Sequence, residues 1–186
     1  MEKTKKPLGT ILTIIALVII AGVVYGVAKS GNLFNGNASG TREFKSQTLG
    51  ISFTYPANEK FVIQNLTVEN SSTTAEAYHF FTSDSHIVIL PQITTDAAIQ
   101  TEKKVYESVL FGDDKNQLKN SHVDTGTYTG FKSLIDFTSS RYTLYRQLDS
   151  KKSIILRTDI TASSSDALLT AEGTLFKIAD TIESSQ

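Results

Sequence analysis

The chain contains no cysteine. A disulfide framework is therefore excluded, and so is a lipid-modified cysteine at the N-terminus. An extracellular domain built this way must be stable without bridges, which suits a bacterial envelope or surface better than a secreted eukaryotic module. Histidine is also scarce, at three residues, His79, His86 and His122, which leaves few nitrogen ligands for a metal. Positive charge is thin beyond the N-terminal segment. Residues 43–186 carry 13 basic against 18 acidic residues, a net of −5. A mildly acidic domain has no electrostatic footprint for nucleic acid and no charge-based attraction to an anionic membrane surface.

What the chain does have is an uncharged run between Lys6 and Lys29, 22 residues long. A helix rises about 1.5 Å per residue, so roughly 20 residues cross a bilayer core of about 30 Å. Residues 8–28 are therefore expected to form a transmembrane helix, because in lipid the backbone must satisfy its own hydrogen bonds. Lys3, Lys5 and Lys6 outweigh Glu2 in the basic tail, residues 1–7. The positive-inside tendency then places the N-terminus in the cytoplasm and everything after Lys29 outside the cell membrane. Gly26-Val27-Ala28 also offers a small-residue site for cleavage as a signal peptide, although the apolar region is longer than the 7–15 residues usual for one. Gly22 and Gly26 form a GxxxG pair through which two such helices could pack as a dimer. Residues 29–42, rich in Gly, Asn and Ser, read as a flexible stalk.

The remaining residues, 43–186, amount to one domain. Ile51 to Tyr55 alternates apolar and polar at period two and ends at Pro56, as a half-buried strand does. Residues 61–68, 75–82 and 86–91 supply three more strand candidates. Thr95-Asp96 caps a helix whose apolar positions Ala98, Val105 and Val109 are joined by Glu102, with Ile99, Tyr106 and Leu110 widening the face; Gly112 stops it. The segments 122–128, 131–138, 141–148 and 153–161 have the spacing of an antiparallel meander. Ser163 to Asp166 caps a last helix with Leu168, Leu169, Leu175, Phe176 and Ile178 on its apolar stripe. The expected class is α+β: an antiparallel β-sheet with helices packed on its faces, preceded by one transmembrane helix.

The segment Leu49-Gly50-Ile51-Ser52-Phe53-Thr54-Tyr55-Pro56 resembles the opening strand of PsbP-like domains, found among uncharacterised membrane-anchored bacterial envelope proteins. Phe176, Ala179 and Thr181-Ile182 are similar to the end of their C-terminal helix. Many relatives place a tryptophan shortly after Tyr-Pro. This chain has no tryptophan, and Phe61 is expected to take that packing role. The resemblance implies a PsbP-like α+β domain. The photosystem II subunit that gives the family its name helps retain inorganic ions, and none of the quoted residues carries that role over. Alternating burial of Ile51, Phe53 and Tyr55, with Pro56 ending the pairing, also explains the motif without any activity.

Chemistry-bearing motifs are few. His79 and His86 fall on neighbouring strands across a short turn, with Asp84 or Asp124 as further ligands, but zinc needs three or four converging groups and no ligand spacing is present. Asp113-Asp114 with Asn116 lacks the alternate ligands, glycine and terminal glutamate of a calcium loop. No nucleophile elbow and no phosphate-binding glycine loop occurs. Arg141, Tyr142, Tyr145 and Arg146 form a basic-aromatic cluster in an acidic domain, the candidate surface for a protein or glycan partner, against the alternative of an exposed strand face with cross-strand pairs. No catalytic residue, cofactor or metal is assigned. The expected function is a single-pass, membrane-anchored extracytoplasmic binding or assembly module acting on another envelope component. The alternative is a tethered small-ligand carrier or enzyme whose site is assembled from scattered residues.

Overall fold

The computed structural model describes residues 40–67, 74–112 and 120–185. The proposed transmembrane segment with Gly22 and Gly26, most of the stalk and the Asp113-Asp114 loop lie outside these residues. Among the described residues no helix is long and apolar enough to cross a membrane.

Within the described residues ten strands and two helices follow one another: β1 (Thr41–Ser46), β2 (Ile51–Pro56), β3 (Lys60–Thr67), β4 (Thr74–Phe81), β5 (Ser85–Thr94), α1 (Asp96–Phe111), β6 (Asn120–Asp124), β7 (Thr129–Asp136), β8 (Ser139–Gln147), β9 (Ser153–Ala162), α2 (Ser165–Asp180) and β10 (Glu183–Ser184). Seven strands form the main sheet in the order β3-β4-β5-β9-β8-β7-β6, and β1-β2-β10 form a small one. All the pairings are antiparallel.

The class expected from the sequence is corrected here. Over the described residues the fold is mostly antiparallel β-sheet, 53% strand against 24% helix. A second sheet, rather than a layer of helices, covers the aromatic part of the main sheet. Two features account for the difference. β1 shows an almost wholly exposed pattern, so period-two alternation does not announce it. α1 contributes a single fully buried residue, Ile99, too little for a helical layer.

The small sheet packs through six rings. Phe44, Phe53 and Tyr55 meet Phe61, Tyr78 and Phe80, with Phe61 and Phe80 stacked at 4.9 Å and Phe53 set edge-on to Phe61 at 5.9 Å. Offset and edge-on pairs place the positive ring edge on the negative ring face. Phe61 sits among these rings. Glu76 ties the β1–β2 turn down: its Oε2 accepts from Ser46 Oγ at 2.8 Å and from the Tyr78 hydroxyl at 2.5 Å. Beside the small sheet lies α2, capped by Ser164 accepting from the Ala167 N–H. It buries Leu168, Ala171, Leu175, Ile178 and Ala179 against the same face, where Ile87, Ile89, Ile154, Leu156 and Ile160 wait. On the opposite face α1 covers Phe131, Tyr145 and Ile155 through Ile99, Tyr106, Leu110 and Phe111.

Candidate functional site

Strand alternation divides the predicted basic-aromatic cluster between the two faces of β8. Arg141 is half exposed and donates from Nε to Asp159 Oδ1 at 2.7 Å. Tyr142 is buried under α2, edge-on to Phe176 at 5.4 Å. Tyr145 is buried under α1, edge-on to Phe131 at 6.2 Å. Arg146 lies over the Tyr128 ring at 5.5 Å and donates to the Ile182 carbonyl at 3.0 Å, closing the end of α2. The four residues do not form one patch. Tyr145 and Arg146 both border a cleft, but the Arg146 guanidinium is turned to the other face of β8.

That cleft, about 190 Å³, opens between the start of α1 and the ends of β7 and β8. Its builders are local. Thr95 caps α1 by accepting from the Ala98 N–H, which fixes Asp96 and Ile99 on one side. Gly126, at φ 78°, takes the left-handed turn conformation that glycine adopts without strain. Its N–H is held by Asp124 Oδ1 at 2.9 Å, and the turn sets Thr127 and Thr129 on the other side. Lys103 spans the opening: Nζ donates to Thr129 Oγ1 at 2.7 Å and stands 5.2 Å from the centre of the Tyr145 ring. Behind it, Glu102 accepts from Arg157 at 2.7 Å and from the Tyr145 hydroxyl at 3.4 Å. Burial, with the nearby Glu102 carboxylate, raises the Tyr145 phenol well above its ordinary pKa, so the hydroxyl keeps its proton and donates.

Chemically, the cleft offers a lysine, the Asp96 carboxylate and aromatic surface, and the Glu102 carboxylate behind it is held by Arg157. Small-molecule sites usually enclose about 300–1,000 Å³, so this one suits a side chain of a larger partner. Lys103 escaped the sequence reasoning, yet it carries a signal. It falls on the stripe Ile99-Lys103-Tyr106-Leu110, a lysine at a position where the helical period calls for an apolar residue.

The histidines separate. His79 and His86 do meet, Nδ1 to Nε2 at 3.1 Å, and His79 Nε2 faces Gln64 Oε1 at 3.1 Å. Donation from His79 Nε2 to Gln64 leaves Nδ1 to accept from His86, a relay of two neutral rings. The rings stack on Phe81, His86 at 4.2 Å. Burial lowers both pKa values, that of His86 to about 4 with His79 adding to the effect. His122 lies elsewhere, stacked on Phe111 at 4.4 Å beside Glu107. Asp84 accepts from Ser83, and Asp124 holds its turn. Among the described residues no group of three or more potential ligands is gathered for a metal ion.

Sequence reasoning passed over Glu59. It sits in the β2–β3 turn, 6% exposed, with Oε2 buried and without a hydrogen-bond partner. Burial pushes its pKa up to about 7.

No protein-family model matches the chain, and no curated protein matches it. The PsbP-like resemblance accordingly rests on its motif residues alone.

Proposed function

We propose that the protein is a single-pass membrane-anchored module whose extracytoplasmic domain binds, or helps assemble, another envelope component. The uncharged run at 8–28, with lysines on both sides, supports the anchorage and its orientation. The observation that carries the binding role is the state of the cleft's charges. Glu102 is held by Arg157 and Tyr145, while Lys103 stands at the opening over the Tyr145 ring. A lysine over a ring with its neighbouring carboxylate neutralised is a docking arrangement for an acidic or polar side chain. It is not a paired acid and base.

The test is crosslinking of the intact anchored chain in native membranes, with Lys103→Glu as the comparison. A partner captured by the parent chain and lost on Lys103→Glu, at unchanged melting temperature, supports the module. Capture unaffected by that substitution overturns the role of the cleft. Turnover of a substrate by the domain, abolished by one point substitution, overturns the non-enzymatic reading.

One observation favours the second reading, a tethered ligand carrier or enzyme. The unpartnered Glu59 carboxyl, with its pKa near 7, has the tuning that acid–base catalysis uses. Loss of a discovered activity in Glu59→Gln would move the assignment there.

A further inference from the structure

Two-residue hairpin loops are ordinarily filled by Asn-Gly or Asp-Gly, residues that turn easily and are at home in water. The β7–β8 loop is Phe137-Thr138, since Asp136 pairs with Ser139. Phe137 is 84% exposed, and Ile135 beside it is 50% exposed. The loop is held in this shape. Asp136 Oδ1 accepts from the Thr138 N–H at 2.7 Å and from its hydroxyl at 2.9 Å, which turns the carboxylate back on the loop and leaves the phenyl ring outermost. Leu169, 65% exposed, is five residues into α2, whose leading segment is pinned to the same region: the Ala162 N–H donates to the Thr138 carbonyl and the Ser163 N–H to the Asp84 carbonyl, each at 2.8 Å. Three large apolar side chains are thus presented at one end of the main sheet.

The described chain begins at that same end. Ala57 donates to the Gly40 carbonyl at 2.9 Å, Thr41 pairs with Pro56, and the turn after Pro56 leads straight into Lys60. Lys60 is in register with Phe81, Phe81 with His86, Ser85 with Ala162, and Thr161 with Ser139. Gly40 and Phe137 therefore share an end of the sheet. Residues 29–39 between the apolar run and Gly40 can span at most about 40 Å even when fully extended. Ten-residue strands such as β5 and β9 put the opposite end roughly 30 Å farther away.

We propose that Ile135, Phe137 and Leu169 form a second contact with the membrane, seating the tip of the β7–β8 hairpin in the interfacial layer of the bilayer that holds the anchor. The inference rests on the anchored reading. Its occupant is lipid, because this is the end from which the chain leaves toward its apolar segment. Aromatic and aliphatic side chains enter the headgroup boundary by apolar burial. With Asp84, Asp136 and Asp166 at the same end, the contact is apolar and draws nothing from anionic headgroups.

The chain has no tryptophan, so Phe137→Trp supplies a single fluorescent reporter, and Gln147→Trp, exposed at the far end of β8, supplies its control. Each full-length variant is reconstituted into phosphatidylcholine vesicles with and without bromine on the acyl chains. Phe137→Trp emission is expected to shift to shorter wavelength and to be quenched by the brominated lipid, while Gln147→Trp keeps the emission of a ring in water and is not quenched. Adding Ile135→Asp and Leu169→Asp to Phe137→Trp is expected to remove the quenching. A blue shift without quenching means that protein covers the tip, and overturns the proposal, as does emission in water for both reporters. Alkaline extraction reads the anchor separately. A chain that stays in the vesicles while Phe137→Trp goes unquenched defeats this inference alone, and a chain stripped from them defeats the anchored reading and this inference with it.

Discussion

Lys132 reaches from β7 to hold both carboxylate oxygens of Glu172 on α2, at 2.8 and 2.9 Å, while Ser140 donates to the same carboxylate at 2.8 Å. The Glu172 side chain is 10% exposed and that of Lys132 is 26% exposed, so this is a largely buried bridge. Removing one member of such a pair strands the other's charge. Glu172→Ala is expected to destabilise the domain by about 2–4 kcal/mol, read by urea unfolding at neutral pH. Lys132→Met with Glu172→Leu should recover most of that loss, since a packed apolar pair replaces the bridge. A double variant as unstable as Glu172→Ala would show that the charges themselves are needed.

The neutral histidine pair makes stability sensitive to acid. The folded-state pKa of His86, about 4, lies below its ordinary value of 6.5. The unfolded chain therefore binds a proton first as pH falls. Stability from this group is complete above about pH 6.5 and drains away as pH falls toward 4, at up to about 1.4 kcal/mol per pH unit. His86→Phe keeps a flat ring against Phe81 and does not titrate. The stability of His86→Phe minus that of the parent should therefore rise steadily from pH 6.5 to 4 in thermal unfolding. A constant difference would mean that His86 titrates normally.

Glu59 acts in the opposite sense. Its folded pKa, about 7, is raised above 4.5, so its contribution is intact below about pH 4.5 and is lost as pH rises through 7. Glu59→Gln keeps the shape without the charge. Unfolding free energies measured across pH 4.5–8.5 are expected to show the variant gaining on the parent by about 2–3 kcal/mol. Equal pH profiles for the two proteins would place the Glu59 carboxylate in contact with water.

Gly130 lies opposite Leu144 in the β7–β8 pairing. A Cβ built there would stand 2.0 Å from the Thr143 carbonyl oxygen and 3.0 Å from Leu144 Cα. These are backbone atoms of the partner strand and cannot swing aside. Gly130→Ala is expected to cost about 2–3 kcal/mol and to speed amide exchange across the β7–β8 pairing. An alanine variant with unchanged exchange would show that β8 yields easily.

The sequence made most of the elements legible because their periods are clean. The Ile51–Tyr55 alternation is buried on one side as expected. Thr95 and Ser164 both act as helix caps within the clusters read as capping signals. What escaped depends on partners distant in the chain. β1 exposes most of its side chains and is a strand because β2 pairs with it; Thr41 and Arg42, read as stalk, already belong to it. β10 has two residues, too few for any period. On α1, Ala98, Glu102, Val105 and Val109 were spaced like a buried stripe, yet Val105 and Val109 are exposed, and the face turned inward runs through Ile99, Tyr106 and Leu110. Two stripes of similar spacing competed, and the bulkier rings decided. The division of the basic-aromatic cluster, by contrast, follows from strand alternation alone: Arg141 and Tyr145 take one face of β8, Tyr142 and Arg146 the other.

The small sheet joins the beginning of the domain to its end. β10 pairs with β2, and Thr181 Oγ1 accepts from the Thr54 N–H at 2.8 Å across 127 residues. A chain emerging N-terminus first thus releases Phe44, Phe53 and Tyr55 long before α2 and β10 arrive to close the layer over the main sheet. Contacts this distant in sequence form late. Nearly the whole domain must be made before it can lock, and until then its aromatic strands are exposed to solvent and to other chains.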